Sequence, residues 1–391
     1  MLSTLTDATT EHSMAPRSMP LSLVCVAGAR PNFMKVAPIL EAAKRHPAVR
    51  AVLVHTGQHY DEKMSALFFD ELGLQQPNAY LGVGSDTHGR QTARIMEAFD
   101  GYLDSSPADV VLVVGDVNST IACALVAVKR LVPVAHVEAG LRSGDRTMPE
   151  EINRLLTDQI AEYLFITERS AEKNLVREGV APHKIHFVGN VMIDTLLRHR
   201  DLAATRPILT QLGLAPRAYA ACTLHRPSNV DVMSAAENTV RALETLAKRL
   251  PVVLPLHPRT RARLEHFGLL ERVRSNSSIL LQEPLGYLDF LALMAQAALV
   301  LTDSGGIQEE TTVLGVPCLT FRENTERPVT ITEGTNQLVG LDPARIADAT
   351  DEILAGRCLT GRVPELWDGL ASERIVAVLA GRPSGSGAVR Q

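Results

Sequence analysis

Little in this sequence is aromatic, sulfur-bearing or lopsided in charge, and each scarcity narrows what the chain can be. Aromatic residues are 4% of the 391 residues against 46% hydrophobic overall, with 26 Gly and 22 Pro, the composition of a soluble globular protein rich in Val, Leu and Ala rather than of a fibre or a disordered chain. The cysteines number 5, Cys25, Cys123, Cys222, Cys318 and Cys358, far apart and never in C-x-x-C spacing, so neither a disulfide framework nor a zinc site is indicated and small core residues are expected. A net charge of −5 supplies no basic field for a nucleic acid, and any anion must be held by a local site. The apolar stretches are broken by Lys129 and Arg130 or by Asp289 and fall short of the ~18 clean residues of a membrane span. No basic n-region precedes the run at Leu21, which argues against a secretory signal and for a cytoplasmic protein.

What is present is alternation. From Leu21, the runs LSLVCVAG, RAVLVHTG, DVVLVVG, PVAHVE, YLFIT and IHFVG are each followed by helical periodicity, and AYAACTL, VVLPLH, SILLQ, ALVLTD, VPCLTF and NQLVG repeat the scheme. Continuous apolar strands between helices predict parallel, helix-covered sheets, so the expected fold is α/β: two Rossmann-like, doubly wound domains facing across a cleft. The expected division is a tail over 1–20, a first domain over 21–203, a second over 204–363, a helix over 364–381 packing back on the first domain, and a tail over 382–391. The unusual polar residues fall just after strands: Arg30, Asp116 and Glu138 in the first half, His225, His257 and Ser304 in the second. In open parallel sheets ligands bind beyond the carboxyl ends of the strands, so two such rims would line one interdomain cleft.

Three features carry chemistry. In ALVLTDSGGIQEE, Ser304, Gly305 and Gly306 join a strand to a helix; exposed N–H groups and the positive helix end suit a phosphate, the plain alternative being a helix capped by Asp303 or Ser304. The first strand turns through GARPNFMK, which lacks the G-x-G-x-x-G of a dinucleotide site and offers Arg30 and Lys35 as a diphosphate clamp or as solvated cations at a helix start. No redox cofactor and no metal are expected. Asp116 in VVGDVNST and Glu138 in AHVEAG close buried strands, where an ionised group is costly unless paired or used. Glu150 in MPEEINRLL is spaced to pair with Arg154, and His225 with Arg226 could join the carboxylates or hold phosphate.

The strings GARPNFMKVAPI, HTGQHYDE, VVGDVNST, HVEAGLRSGDRTMPEEINR, FVGNVMIDTL, TLHRPSNVD, LPLHPRTR and LTDSGGIQEETTVLGVPCLTFRENTERP, spread from Leu23 to Gly340, resemble the non-hydrolysing UDP-N-acetylglucosamine 2-epimerases. The resemblance implies a GT-B-like fold, a UDP-sugar as the partner, a homodimer, and epimerisation at C2 by elimination of UDP to a glycal followed by re-addition, without a cofactor. It implies acid and base roles among Asp116, Glu138 and Glu150, with Arg154 and His225 beside them. A UDP-binding set follows of Arg30, Lys35, Arg226, His257, Ser304, Gly305, Gly306 and Glu310, the last reaching the ribose hydroxyls. Gln58 and His59 match the motif of a regulatory UDP-sugar site found in some members. HRPSN departs from the H-R-R-E-N of many bacterial members at Pro227 and Ser228, near the sugar. The rival outcomes are a hydrolysing epimerase and a GT-B glycosyltransferase.

Overall fold

The computed structural model describes residues 19–57, 71, 73, 75–357 and 360–381. Its first sheet joins β1 (Leu21–Ala27), β2 (Val49–His55), β3 (Ala79–Tyr80), β4 (Val110–Val114), β5 (Val134–Val137), β6 (Tyr163–Ile166) and β7 (Ile185–Phe187) in the order 3-2-1-4-5-6-7. The second joins β8 (Ala220–Thr223), β9 (Val252–Pro255), β10 (Ile279–Gln282), β11 (Leu299–Thr302), β12 (Cys318–Thr320) and β13 (Asn336–Leu338) in the order 10-9-8-11-12-13. The strand pairs are parallel throughout both sheets. Only β3, a two-residue edge strand, has no counterpart among the apolar runs, because an element so short carries no periodicity to read.

The strands are apolar on both faces because helices cover both. In β1, Leu21, Leu23, Cys25 and Ala27 enter one core and Val24 and Val26 the other, the two-residue period of a pleated strand. The four described cysteines are buried, and burial pushes the thiols of Cys25 and Cys318 up to about 12. No described helix is long and apolar enough to cross a membrane.

Two helices tie the halves together. Val191–Ala204 places Val191 and Met192 in the core of the first sheet and Leu196 and Ala203 in that of the second. Ala371–Ala380 returns Ile375, Val376 and Leu379 to the first sheet, its first N–H groups, those of Ala371 and Ser372, donating to Asp194 at 3.1 and 2.7 Å. The helix begins later than the expected 364, since Leu366 and Gly369 hold φ of 60° and 83° and left-handed residues interrupt a right-handed helix.

Candidate functional site

Strand order reverses between β1 and β4 in the first sheet and between β8 and β11 in the second, the switch points at which doubly wound sheets open a crevice. At the first, Asn32 Oδ1 accepts the N–H groups of Gly28 and Ala29 at 3.1 and 2.9 Å, and its Nδ2 donates to the Val114 carbonyl at 3.1 Å, stitching the end of β1 to that of β4. Gly28 is required for contact with the helix Asn118–Lys129 that follows β4: a Cβ there would stand 2.1 Å from Ser119 Oγ. The helix Arg30–Arg45 then carries Lys35 inward to pair with Glu138.

Glu138 is the focus of this rim. It is 2% exposed, and its φ of +69° is a left-handed conformation that costs a non-glycine residue about 1 kcal/mol or more and persists only where the surroundings impose it. Lys35 meets one carboxylate oxygen, and Arg327 donates to the other from the second domain at 3.3 Å. Burial alone would raise the Glu138 carboxyl; the charges of Lys35 and Arg327 hold it below the usual range, so it is an ionised group in a dry site.

Asp116 follows Gly115, whose φ of +66° turns the chain over the Lys35–Glu138 pair. Arg154 donates to Asp116, and Asn153 Nδ2 donates to the Asp116 carbonyl at 2.9 Å. The expected pairing of Arg154 with Glu150 is not made: Arg154 donates to Glu151 at 3.0 and 2.7 Å. Glu151 is fixed by the loop before it, accepting the N–H and hydroxyl of Ser143 and the N–H of Gly144, each at 3.0 Å. Those donors need a buried acceptor, and the third residue of the helix, Glu151, supplies it. The side chain of Glu150, half-buried in the first turn of Pro149–Ile160, makes no hydrogen bond or ion pair among the described residues.

The second rim is organised by Asp303, whose Oδ2 accepts the N–H groups of His225 and Arg226 at 2.9 and 2.8 Å and Asn229 Nδ2 at 3.0 Å. Its carboxylate therefore braces the HRPSN loop rather than capping the helix Gly305–Leu314. Ser304, at the N-cap position, makes no capping bond from its side chain either. Ser304 is thus the N-cap residue, as the plain alternative has it, but no side chain caps the first-turn N–H groups. His225 is 3.2 Å from Asp303 Oδ1, its ring 5.5 Å from that of His257; His257 Nδ1 accepts the Arg259 N–H at 3.2 Å. Arg226 Nε donates to the Asp303 carbonyl at 2.9 Å, and its Nη2 to Glu326 at 3.3 Å.

Between the rims lies Arg327. Besides Glu138 it meets Glu309, with Nε 2.8 Å from Oε1, and Glu326 at 3.7 Å. It also packs on Gly305, where a Cβ would stand 2.7 Å from Nη1. Burial is the main cause that pushes the Glu309 carboxyl up to about 7, with Arg327 opposing. Glu310 reaches about 7 in the same way, by burial, although the Tyr287 hydroxyl donates to it at 2.9 Å. Glu326, clamped by Arg322 at 2.8 and 3.0 Å, goes the other way: burial would raise it, and Arg322, Arg226 and Arg327 hold it far below the usual range.

The structure thus brings together Lys35, Asp116, Glu138 and Arg154 on one rim and His225, Arg226, His257, Ser304, Gly305, Gly306 and Glu310 on the other. Arg30 heads its helix, but its side chain lies outside the described structure, as do Gln58 and His59. Sequence reasoning names Asp303 only as a possible helix cap and does not single out Glu151, Glu309, Arg322, Glu326 or Arg327. The last group was within reach, since FRENTERP follows β12 as directly as the other site segments follow their strands. No group of His, Cys, Asp and Glu among the described residues could hold a metal ion.

Two facing, doubly wound sheets with their polar rims turned together make a GT-B-like protein, and a sucrose-phosphate synthase of Thermosynechococcus elongatus shares that fold alone, at a TM-score of 0.59 and 14% identity. The pattern described as UDP-N-acetylglucosamine 2-epimerase matches residues 41–380, and the chain belongs to that family. It is 41% identical to a UDP-N-acetylglucosamine 2-epimerase of Methanocaldococcus jannaschii, covering 92% of this chain and 99% of the relative. Identity to a UDP-2,3-diacetamido-2,3-dideoxy-D-glucuronate 2-epimerase of Pseudomonas aeruginosa is also 41%, with the same coverage. The crystal structure of the M. jannaschii enzyme in complex with UDP-GlcNAc and UDP superposes with a TM-score of 0.86, at 42% identity, over 91% of this chain and 99% of that one.

Proposed function

We propose that this chain interconverts UDP-N-acetylglucosamine and UDP-N-acetylmannosamine without releasing free sugar. The observation that supports this most is Glu138: an ionised, desolvated carboxylate held in a left-handed conformation and joined to a cation from each domain. The C2 proton of the sugar is not acidic, since no carbonyl is attached to C2, so its removal has to be coupled to loss of the leaving group. In this reading one carboxylate of the first rim takes the C2 proton as the C1–O bond breaks, giving UDP and a 2-acetamidoglucal. A second acid on the rim returns a proton to C2 from the other face while a diphosphate oxygen re-forms the bond to C1. Asp116, Glu138 and Glu150 are the acid and base groups, and Arg154 orients Asp116. The uncapped amides at Gly305 and Gly306, with Arg226 and His225 beside them, take up the charge that builds on departing UDP. Glu310 binds the ribose.

Incubation with UDP-N-acetylglucosamine in D2O, followed by NMR, tests each part. Both UDP-linked epimers should accumulate, each with deuterium at C2. Free N-acetylmannosamine and UDP as the main products would establish a hydrolysing enzyme instead, and turnover without deuterium would exclude proton removal at C2.

A further inference from the structure

Beneath the first rim lies a buried pair that the chemistry above does not use. His136, on β5, and Asp158, near the end of Pro149–Ile160, both have side chains with 0% exposure. His136 Nε2 is 2.8 Å from the Gly115 carbonyl, and Nδ1 is 2.6 Å from Asp158 Oδ1. A carbonyl oxygen only accepts, so Nε2 carries a proton. The proton between Nδ1 and Oδ1 then belongs to one partner or the other, and the surroundings of Asp158 decide which. Its Oδ2 accepts the Gly140 N–H at 3.0 Å and lies 2.7 Å from Arg142 Nη2. Burial opposes an ionised Asp158, while the Gly140 N–H and the Arg142 guanidinium, both independent of the protonation of His136, favour it. A carboxylate so supplied with donors stays ionised, and both ring nitrogens of His136 are N–H.

The pair sits where it can act on the reaction groups. Gly115, fixed by His136 at its carbonyl and by Val137 O accepting its N–H at 3.0 Å, precedes Asp116 and covers the Lys35–Glu138 contact. Gly140, held by Asp158, is two residues beyond Glu138. Arg154, which orients Asp116, is one turn before Asp158 on the same helix. The groups facing His136 are the Gly115 carbonyl from just beyond β4, Asp158 from the helix, and Glu138, two residues on and just past the end of β5. Arg142 and Glu178 stand behind Asp158, with Arg142 Nη2 to Glu178 Oε2 at 2.6 Å, and Lys35 is on the far side of Glu138.

We propose that His136 is a positioning residue held as an imidazolium. Its ion pair with Asp158 locks the turns that present Asp116 and Glu138, and its charge adds to the field that keeps Glu138 ionised. The roles of Asp116 and Glu138 rest on the function proposed above; the protonation of His136 does not. Long-range 1H–15N spectra of the full chain, labelled at histidine, should show two ring N–H groups at pH 7.5 for the residue whose signals vanish in His136→Gln. One bare ring nitrogen there would overturn the imidazolium whatever reaction the protein performs. In His136→Gln the donor to Gly115 can be kept and the charge is lost. Its kcat should fall about tenfold or more with KM little changed, and the acid limb of the pH profile should move up by about one unit, the shift expected when a nearby opposite charge is removed. A drop in kcat with an unmoved limb would reduce His136 to a structural role and refute the electrostatic part. Should that variant not fold, Asp158→Asn tests the same pair, with loss of the Nδ1 proton as the expected signature and its retention as the refutation.

Discussion

Glu138 on the first rim and Glu309 and Glu310 on the second are buried alike and titrate oppositely. On the first, Glu138 has a cation at each oxygen and is held ionised. On the second, Glu309 shares its single arginine with Glu138 and Glu326, Glu310 has only the Tyr287 hydroxyl, and both rise to about 7. The difference is not depth but the number of positive charges per carboxylate, which decides whether desolvation or Coulomb attraction wins. The first rim therefore holds an ionised carboxylate at Glu138, the base of the proposed reaction, while Glu309 and Glu310 carry less negative charge beside the helix start proposed to take the diphosphate.

The division of labour is broken most severely at Glu138. Glu138→Gln removes the ionised group but keeps its shape, so kcat should drop by ~10³-fold, within the range for loss of a general base, while UDP affinity by calorimetry stays within about threefold, a change of under ~1 kcal/mol. If UDP binding collapsed and kcat survived, the roles of the rims would have to be exchanged. Gly305→Ala comes next, because its Cβ would meet Arg327 Nη1 at 2.7 Å and displace a side chain that joins Glu138 of the first domain to Glu309 of the second. A loss of ~1–3 kcal/mol in denaturant unfolding is expected, the cost of disturbing a buried charged group's bonds, together with weaker UDP binding. Gly306→Ala is the control for stability: its Cβ would find only the flexible end of Met192 at 3.4 Å, and replacing glycine in a helix favours folding by a few tenths of a kcal/mol or more. Equal destabilisation by the two would show that Arg327 is not the sensitive partner.

How much of this was readable beforehand depends on whether a residue's role is local. The strands were legible because a strand buried on both faces must be apolar along its length, as in Val110–Val114, and the site segments were legible because they follow such strands. Gly305 and Gly306 declared themselves through a strand-to-helix turn. Partnerships across long separations did not. The choice of Glu151 over Glu150 depends on the Ser143–Gly144 loop folding back, and the value of Asp303 lies in amides 77 and 78 residues away. The opposite titration of Glu138 and Glu309 depends on how many guanidinium and ammonium groups the fold gathers around each. Nor does any local pattern place a left-handed backbone at Glu138, whose neighbours in sequence read as the end of an ordinary strand.

The smallest expected effect tests the comparison through its sign. A carboxyl whose native value is raised binds protons that the unfolded chain has released, so Glu310 contributes stability fully below the ordinary value of 4.5 and loses it as pH rises through about 7. Glu138, held low, contributes above the ordinary range and loses that contribution as pH falls. Glu310→Gln preserves an acceptor for Tyr287 and removes the titration. Without ligand it should melt ~2–4 °C above the parent at pH 8, the shift for about 1 kcal/mol in a domain of this size, and level with it at pH 5. Glu138→Gln should show the reverse trend, with a deficit that grows from pH 4 to pH 7 as Lys35 and Arg327 lose an ionised partner. Parallel pH dependences for the two variants would mean that the carboxylates share one environment, and the distinction between a charged rim and a neutralised one would not survive.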